Sequence, residues 1–393
     1  MSIITKFKAK LEHPNYIESK KLSPILKWAG GKEQELKYII PQLPPFFNNY
    51  YEPFVGGGAV FTAVQAQKYF INDKSNELVA LYKSITDENR ALFFFALDEI
   101  VQNWDILTEI IEKNALYFVD LYKKYSNNTI DETELKSIIF EFVSSNSTQF
   151  NLMFSKTFDF NTAHFIKELK INLIRKTKRM KVLEQQKEVL TTEDILSNIE
   201  TALKSAFYMQ FRYLHNNCEK YEINTALSSA IFLFIRNFAY SGMFRYNASG
   251  DFNVPYGGIA YNRKNFLKKI DYLRSFELQI LLETTTIENL DFQDFLTLHQ
   301  PKKDDFIFLD PPYDTEFSTY AKNEFSKTDQ ERLADFLIKK CEAQWMIVIK
   351  NTDFIFNLYD KKGLNIQSFD KTYLVSFMNR NDKNVEHLVI TNY

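Results

Sequence analysis

Between Ala59 and Ser241 the chain contains neither glycine nor proline. That absence limits the fold more than any other feature, because it removes the residues that break helices and those that make the tightest turns. Within the stretch, lysine and glutamate interleave with apolar residues at helical spacing, as in "IEKNALYFVDLYKKY", "ELKSIIFEFV" and "IKELKINLIRKTKRMKVLEQQKEVL". The pattern predicts a run of helices from about 88 to about 235. "SNNTIDE" and "LTTEDI" read as joints that carry helix-capping residues. On either side the pattern changes to strands alternating with helices, over about 23 to 85 and about 277 to 393, with a glycine-rich hairpin before the second part. No repeat period or flexible linker is visible.

Composition narrows the class. The 393 residues, 45% of them hydrophobic, suffice for one large domain or two ordinary ones. A net charge of −2 gives no global positive field, so any contact with nucleic acid must come from a local basic surface. Cys218 and Cys341 cannot build a disulfide framework, which fits a reducing compartment. The five histidines show no metal-ligand spacing, and no metal is expected. "MSIITKFKAKLEHPN" lacks the apolar core of a signal peptide, and no apolar run reaches membrane-spanning length. The expectation is a soluble, cytoplasmic protein with no membrane partner.

The ten glycines fall mainly into three clusters: "KWAGGK", "EPFVGGGAVF" and "YSGMFRYNASGDFNVPYGG". The middle one lies in "NNYYEPFVGGGAVFTAVQAQKYFINDKSNELVALY", which reads as strand, glycine turn, helix, strand, acid, helix. Gly56 and Gly58 allow a tight turn and close approach of a ligand, and Asp73 ends the second strand where a carboxylate accepts from ribose hydroxyls. A turn that only packs is the plain alternative; the acid in register downstream favours the ligand. Neither glycine turn has the Gly-Lys-Ser/Thr ending of a phosphate-binding loop. Trp28 and Lys32 flank the first cluster and suit a lid over a bound nucleoside, although taken alone the segment reads first as a core tryptophan and a solvated lysine.

"DDFIFLDPPY" ends a buried-type strand with chemistry. Open α/β sheets bind ligands at such carboxyl ends. Asp310, helped by the Pro311 carbonyl, can hold both hydrogens of a flat exocyclic amine. Tyr313 offers a face on which the base can stack, and Pro311 and Pro312 fix the distance between acid and ring. Paired acceptors stabilise the positive charge that grows when such an amine attacks a methyl group. Upstream, "LLETTTIENLDFQDF" puts Asp291 and Phe292 on a loop suited to meeting an adenine ring.

Taken in order, "KWAGGK", "EPFVGGGAVF", "IND", "FRYNASGDFNVPYGG", "DPPYDTEFSTYAKNEF" and "VEHLVITNY" resemble the Dam-type family of S-adenosylmethionine-dependent DNA adenine methyltransferases. The resemblance implies a Rossmann-like α/β methyltransferase sheet and a mostly helical target-recognition domain with a DNA-reading β-hairpin. It divides the chain into 1–87, the first part of the catalytic domain, 88–276, the helical insertion with target recognition, and 277–393, the second part. It implies S-adenosylmethionine as cofactor and methylation of the 6-amino group of adenine in double-stranded DNA. Trp28, Lys32, Gly56, Gly58, Asp73, Asp291, Phe292 and Asp310 would then face the cofactor, and Asp310, Pro311, Pro312 and Tyr313 the target amine.

In the hairpin, the resemblance gives Tyr240, Arg245, Asn253 and Pro255 to DNA: Arg245 bidentate to a guanine, Pro255 against a thymine methyl, Tyr240 as a wedge. A site containing GA follows. The family usually carries Asn after that tyrosine, where this chain has Ser241. A cognate restriction system is the partner such an enzyme would have, and the source a bacterium or phage. The helical stretch is longer than in compact members, and its run Lys170, Arg175, Lys176, Lys178, Arg179, Lys181 is read either as a DNA-backbone surface or as a solvated face. Two alternatives stand beside this reading: methylation at the 4-amino group of cytosine, and a non-catalytic DNA-binding regulator on the same fold.

Overall fold

The computed structural model describes residues 22–28, 30–154, 157–186, 188–313, 325–372 and 384–393. The chain divides into two compact units, one holding the described residues of Met1–Thr86 and Leu273–Tyr393, the other Asp87–Tyr272.

The first unit is built on a mostly parallel sheet, with seven strands among the described residues. They are β1 (Asn49–Glu52), β2 (Lys68–Asn72), β3 (Thr285–Glu288), β4 (Phe306–Leu309), β5 (Gln344–Lys350), β6 (Asn365–Thr372) and β7 (Asn384–Thr391), in the order β3-β2-β1-β4-β5-β7-β6. β7 runs antiparallel to both its neighbours. All four residues of β4 and the five central residues of β5 are buried. A central parallel strand packs on both faces, which is why these segments read as unbroken apolar runs. Trp345, Ile347 and Ile349 of β5 pack with Ile307 and Leu309 of β4, and with Leu333 and Leu337 of helix Lys327–Lys339. Helices Asn76–Ser84 and Lys327–Lys339 start on Ser75 and Ser326, whose side chains accept from Leu78 N and Asp329 N.

Strand order reverses between β1 and β4, which pair through Tyr50 with Phe306 and Tyr51 with Ile307. A reversal of this kind opens a crevice at the carboxyl ends of the strands. The glycine turn follows β1 and the Asp-Pro-Pro-Tyr stretch follows β4, so the sheet sets these distant segments side by side.

The second unit is helical, as the missing glycine and proline predict. Its longer helices are Arg90–Lys113, Ala115–Ser126, Glu132–Ser145, Thr162–Gln186, Thr192–Asn216 and Thr225–Phe238. Both expected joints carry caps: Asp131 with Glu134, and Thr191 with Asp194, form reciprocal capping boxes. Asn128 and Asn161 take the left-handed backbone that glycine would otherwise supply (φ 60° and 48°). The core is aromatic, with Trp104 4.5 Å from Phe238, and Phe207, Phe211 and Phe234 in contact around it.

Candidate active site

Packing makes the three glycines of the turn necessary. A Cβ on Gly56 would stand 2.9 Å from Cδ1 of Trp28, one on Gly57 would run into the Leu26 carbonyl, and one on Gly58 would stand 2.5 Å from the Tyr82 hydroxyl. Gly56 and Gly58 also have positive φ (49° and 77°). The lid segment is laced to the turn, since Ile25 N donates to Gly57 O at 2.9 Å. Trp28 therefore lies against the glycine turn.

Asp73 closes the same turn. Its carboxylate accepts from Gly56 N at 3.0 Å and from Ser75 N at 2.9 Å. Burial nevertheless dominates, and pushes its pKa up to about 6 against the opposing pull of the Ser75, Gly56 and Lys74 amides. Behind it, buried Asn72 donates to the carbonyls of Pro53 and Leu290 and accepts from Leu290 N, which ties the ends of β1, β2 and β3 together.

Asp310 stands just past β4 and is ion-paired through Oδ1 with the ammonium of Lys32, which is 2% exposed. That ammonium also donates to Gly30 O at 2.9 Å and to the Tyr313 hydroxyl at 3.3 Å. The lid lysine, the acid and the tyrosine thus form one hydrogen-bonded group, with Pro312 O held by Gln330 at 2.8 Å.

Glu52, which the sequence reading passed over, is buried beside them. Desolvation holds its carboxyl well above the usual range; the Tyr50 hydroxyl donating at 2.7 Å pulls the other way, and the negative charge of Asp310 adds to the rise. A signal for it existed: "YEP" ends β1 as "LDP" ends β4, each an acid at the close of an apolar strand before proline. His387 on β7 was likewise missed, its mark being a lone imidazole in the apolar run "HLVI". It is fully buried, with Nε2 3.1 Å from the Tyr313 hydroxyl.

Asp291 and Phe292 differ from expectation. They open helix Phe292–His299 and do not form a loop: Asp291 is the N-cap, accepting from Gln293 N. Both Asp291 oxygens also accept from Arg332, at 2.9 and 2.8 Å. Desolvation is outweighed by that pair, so the carboxyl stays below its ordinary range. Phe292 is 3% exposed and packs on Phe54 and Phe325. The cap requirement of the helix and the apolar bulk of the phenyl account for both placements.

The whole chain agrees with this local chemistry. It matches the family model described as D12 class N6 adenine-specific DNA methyltransferase, over residues 28–187 and 166–374. The chain belongs to that family. It is 27% identical over 377 residues to the Type II methyltransferase M.CviBI of Paramecium bursaria Chlorella virus NC1A, covering 95% of this chain and 100% of that protein. With the DNA adenine methylase of Haemophilus influenzae it shares 26% identity over 340 residues, 85% of this chain and 80% of the relative. The Type II methyltransferase M.MjaIII of Methanocaldococcus jannaschii is 25% identical over 390 residues, 95% and 99% of the two chains.

In this methyltransferase the hairpin belongs to the helical unit. It is held by two isolated antiparallel bridges, Ala239 with Tyr256 and Tyr246 with Phe252, instead of a continuous ladder. Phe252, Val254 and Tyr256 point inward, with Val254 O accepting from Tyr208 and Arg212 at 3.0 and 3.2 Å. The alternate positions turn outward: Arg245 and Pro255 are exposed, and Arg245 Nε donates to Asn253 Oδ1 at 3.0 Å. Tyr240 is 50% exposed. Ser241 has φ 52°, a left-handed position that asparagine tolerates better than serine, which gives a backbone reason for the family's usual residue.

The basic run on helix Thr162–Gln186 is largely occupied within its own unit. Lys178 pairs with Glu132 at 2.6 Å, Lys181 donates to Tyr125 O at 2.7 Å, Arg175 to Asn172 at 2.5 Å, and Lys170 lies over the Phe140 ring. Burial, with Arg175 and Arg179 nearby, lowers the Lys176 pKa. Among the described residues no helix is long and apolar enough to cross a membrane, and no group of three or more His, Cys, Asp or Glu side chains could hold a metal ion.

Proposed function

We propose that this chain uses S-adenosylmethionine to methylate the 6-amino group of a flipped-out adenine in duplex DNA, at a site containing GA. The observation that carries the reading is the Lys32–Asp310–Tyr313 group at the end of β4, beside the glycine turn at the end of β1. The residues fit the cofactor: an acid sits at the end of β2, glycines stand where a Cβ would collide, and an indole lies against them. Asp73 would accept from the ribose hydroxyls, Trp28 would cover the turn formed by Gly56 and Gly58, and Asp291 and Phe292 would bound the adenine side. When bound, the cofactor supplies an electrophilic methyl group on a sulfonium.

The chain's own residues do the rest. An adenine amine is a weak nucleophile because its lone pair is delocalised into the ring. Asp310 and the Pro311 carbonyl accept its hydrogens and stabilise the charge that develops on nitrogen. Lys32 keeps Asp310 oriented. Tyr313 stacks on the base and recovers part of the few kcal/mol spent on flipping. The methylated nitrogen is a strong acid until it loses its proton, so no dedicated base is needed. Arg245, Asn253 and Pro255 would read the major groove, with Tyr240 filling the gap left in the stack. Relatives named Type II methyltransferase support pairing with a cognate restriction enzyme.

Single-turnover methylation on matched duplexes, and on duplexes mismatched opposite the adenine, tests the roles. Tyr313→Ala should slow base capture and be partly restored by the mismatch, which makes flipping easier. Asp310→Ala should abolish transfer on both while DNA is still bound. Equal rescue of the two, or an active Asp310→Ala enzyme, would overturn the assignment.

A further inference from the structure

The Tyr313 hydroxyl lies between two side chains from distant parts of the sequence. Lys32 Nζ is 3.3 Å away and His387 Nε2 is 3.1 Å away. An ammonium only donates, so the phenol oxygen accepts from Lys32, while the His387 ring nitrogen accepts from that hydroxyl or donates to it according to its tautomer. The imidazole also meets the tyrosine ring edge to face, with centroids 5.5 Å apart, and packs on Phe369, which stacks on Tyr38. His387 itself is 0% exposed on β7, paired opposite Lys350 and Phe369. A buried imidazole needs a polar partner, and here the tyrosine of the Asp-Pro-Pro-Tyr stretch provides one.

We infer that His387 is a positioning residue for the methyl-transfer site: its hydrogen bond to the Tyr313 hydroxyl fixes the direction of the ring's long axis, and its edge-to-face packing on that ring fixes the rotation of the face on which the target base stacks. The inference rests on the stacking role given to Tyr313 above. Stacking needs a defined ring plane. A tyrosine held at Oη by β7 and by the lid lysine has its long axis fixed at both ends, and the imidazole packed edge to face against it sets the ring plane before the base arrives.

The test compares His387→Leu, His387→Gln, Tyr313→Phe and the Leu/Phe double variant with the wild-type enzyme. Readouts are single-turnover methylation and the fluorescence of 2-aminopurine placed at the target position. Tyr313→Phe keeps the ring and deletes only the hydroxyl, so it should lose about five- to tenfold in rate, the value of one net hydrogen bond. His387→Leu should lose a similar factor, be partly rescued by a mismatch opposite the target, and leave 2-aminopurine brighter because the flipped base is less well stacked. The double variant should be no worse than either single one, and His387→Gln, which keeps a hydrogen-bonding group, should recover part of the loss. An unchanged Tyr313→Phe rate overturns the inference even if His387→Leu does not fold, and so do losses that multiply in the double variant. Failure of the stacking role itself reads out separately, as normal base capture by Tyr313→Ala.

Discussion

Among single residues, Asp73 carries the most conditional charge. Without ligand its carboxyl titrates at about 6, because burial penalises the anion more than the surrounding amides favour it. An unfolded aspartate titrates near 3.9. Between those values the native chain holds a proton that the unfolded chain does not. This residue therefore makes stability fall as pH rises through that window, and its effect levels off above about 6. If Asp73 accepts from the ribose hydroxyls as proposed, cofactor binding draws the pKa back down and must release a proton in acid. Affinity for S-adenosylmethionine should weaken by up to about tenfold for each pH unit below 6, and stay flat above it. Calorimetric titration from about pH 5 to about pH 8 checks this, with Asp73→Asn expected to bind weakly and without that pH dependence. A flat wild-type profile would mean that Asp73 does not face the ribose.

Single elements separate two segments that the sequence puts forward alike as candidates for DNA, the hairpin through Arg245 and the helix through its basic run. On the hairpin, period-two alternation turns Arg245, Asn253 and Pro255 outward while Phe252 and Val254 anchor it. On helix Thr162–Gln186, the lysines reach across to Glu132, Tyr125 and Phe140 of neighbouring helices. The two should respond differently to substitution. Arg245→Ala should cost about 1–3 kcal/mol of discrimination at one guanine. Replacing Lys170, Lys178 and Lys181 together with glutamine should leave the salt dependence of DNA binding unchanged, because these side chains are held in their own unit. A slope reduced by roughly one for each lysine would return that helix to the DNA surface.

For the whole molecule, the chain leaves the sheet after helix Asn76–Ser84, builds the helical unit and returns for β3. Each unit has a core of its own, so the two need not melt together. Every residue proposed to hold S-adenosylmethionine belongs to the unit with the sheet. Calorimetry of the full chain should therefore resolve two transitions, of which saturating cofactor raises one. A cofactor-induced shift of both transitions by equal amounts would show that the units unfold as one.

Much of this was open to the sequence alone because the signals are local. Absence of glycine and proline dictates helices through backbone sterics, and Asp131 and Thr191 mark helix starts through their own side chains. Unbroken apolar runs mark strands buried on both faces, and an acid closing such a strand marks a carboxyl end where chemistry collects. What the sequence could not decide is which polar groups meet. Lys32 alone reads as a solvated lysine; only the adjacency of β1 and β4 brings Asp310 to it. Lys178 reads either as a DNA contact or as a solvated lysine, and only the structure pairs it with Glu132 of a neighbouring helix. Asp291 reads as a loop acid until Arg332 and the helix it caps are in view. Glu52 has a hydrogen-bonding neighbour in Tyr50, but neither its burial nor that of His387 can be read from sequence neighbours. Their burial, and in His387 the bond to Tyr313, exists only once the strands are stacked, because the cost of an unpaired buried polar group is set by its surroundings in space and not along the chain.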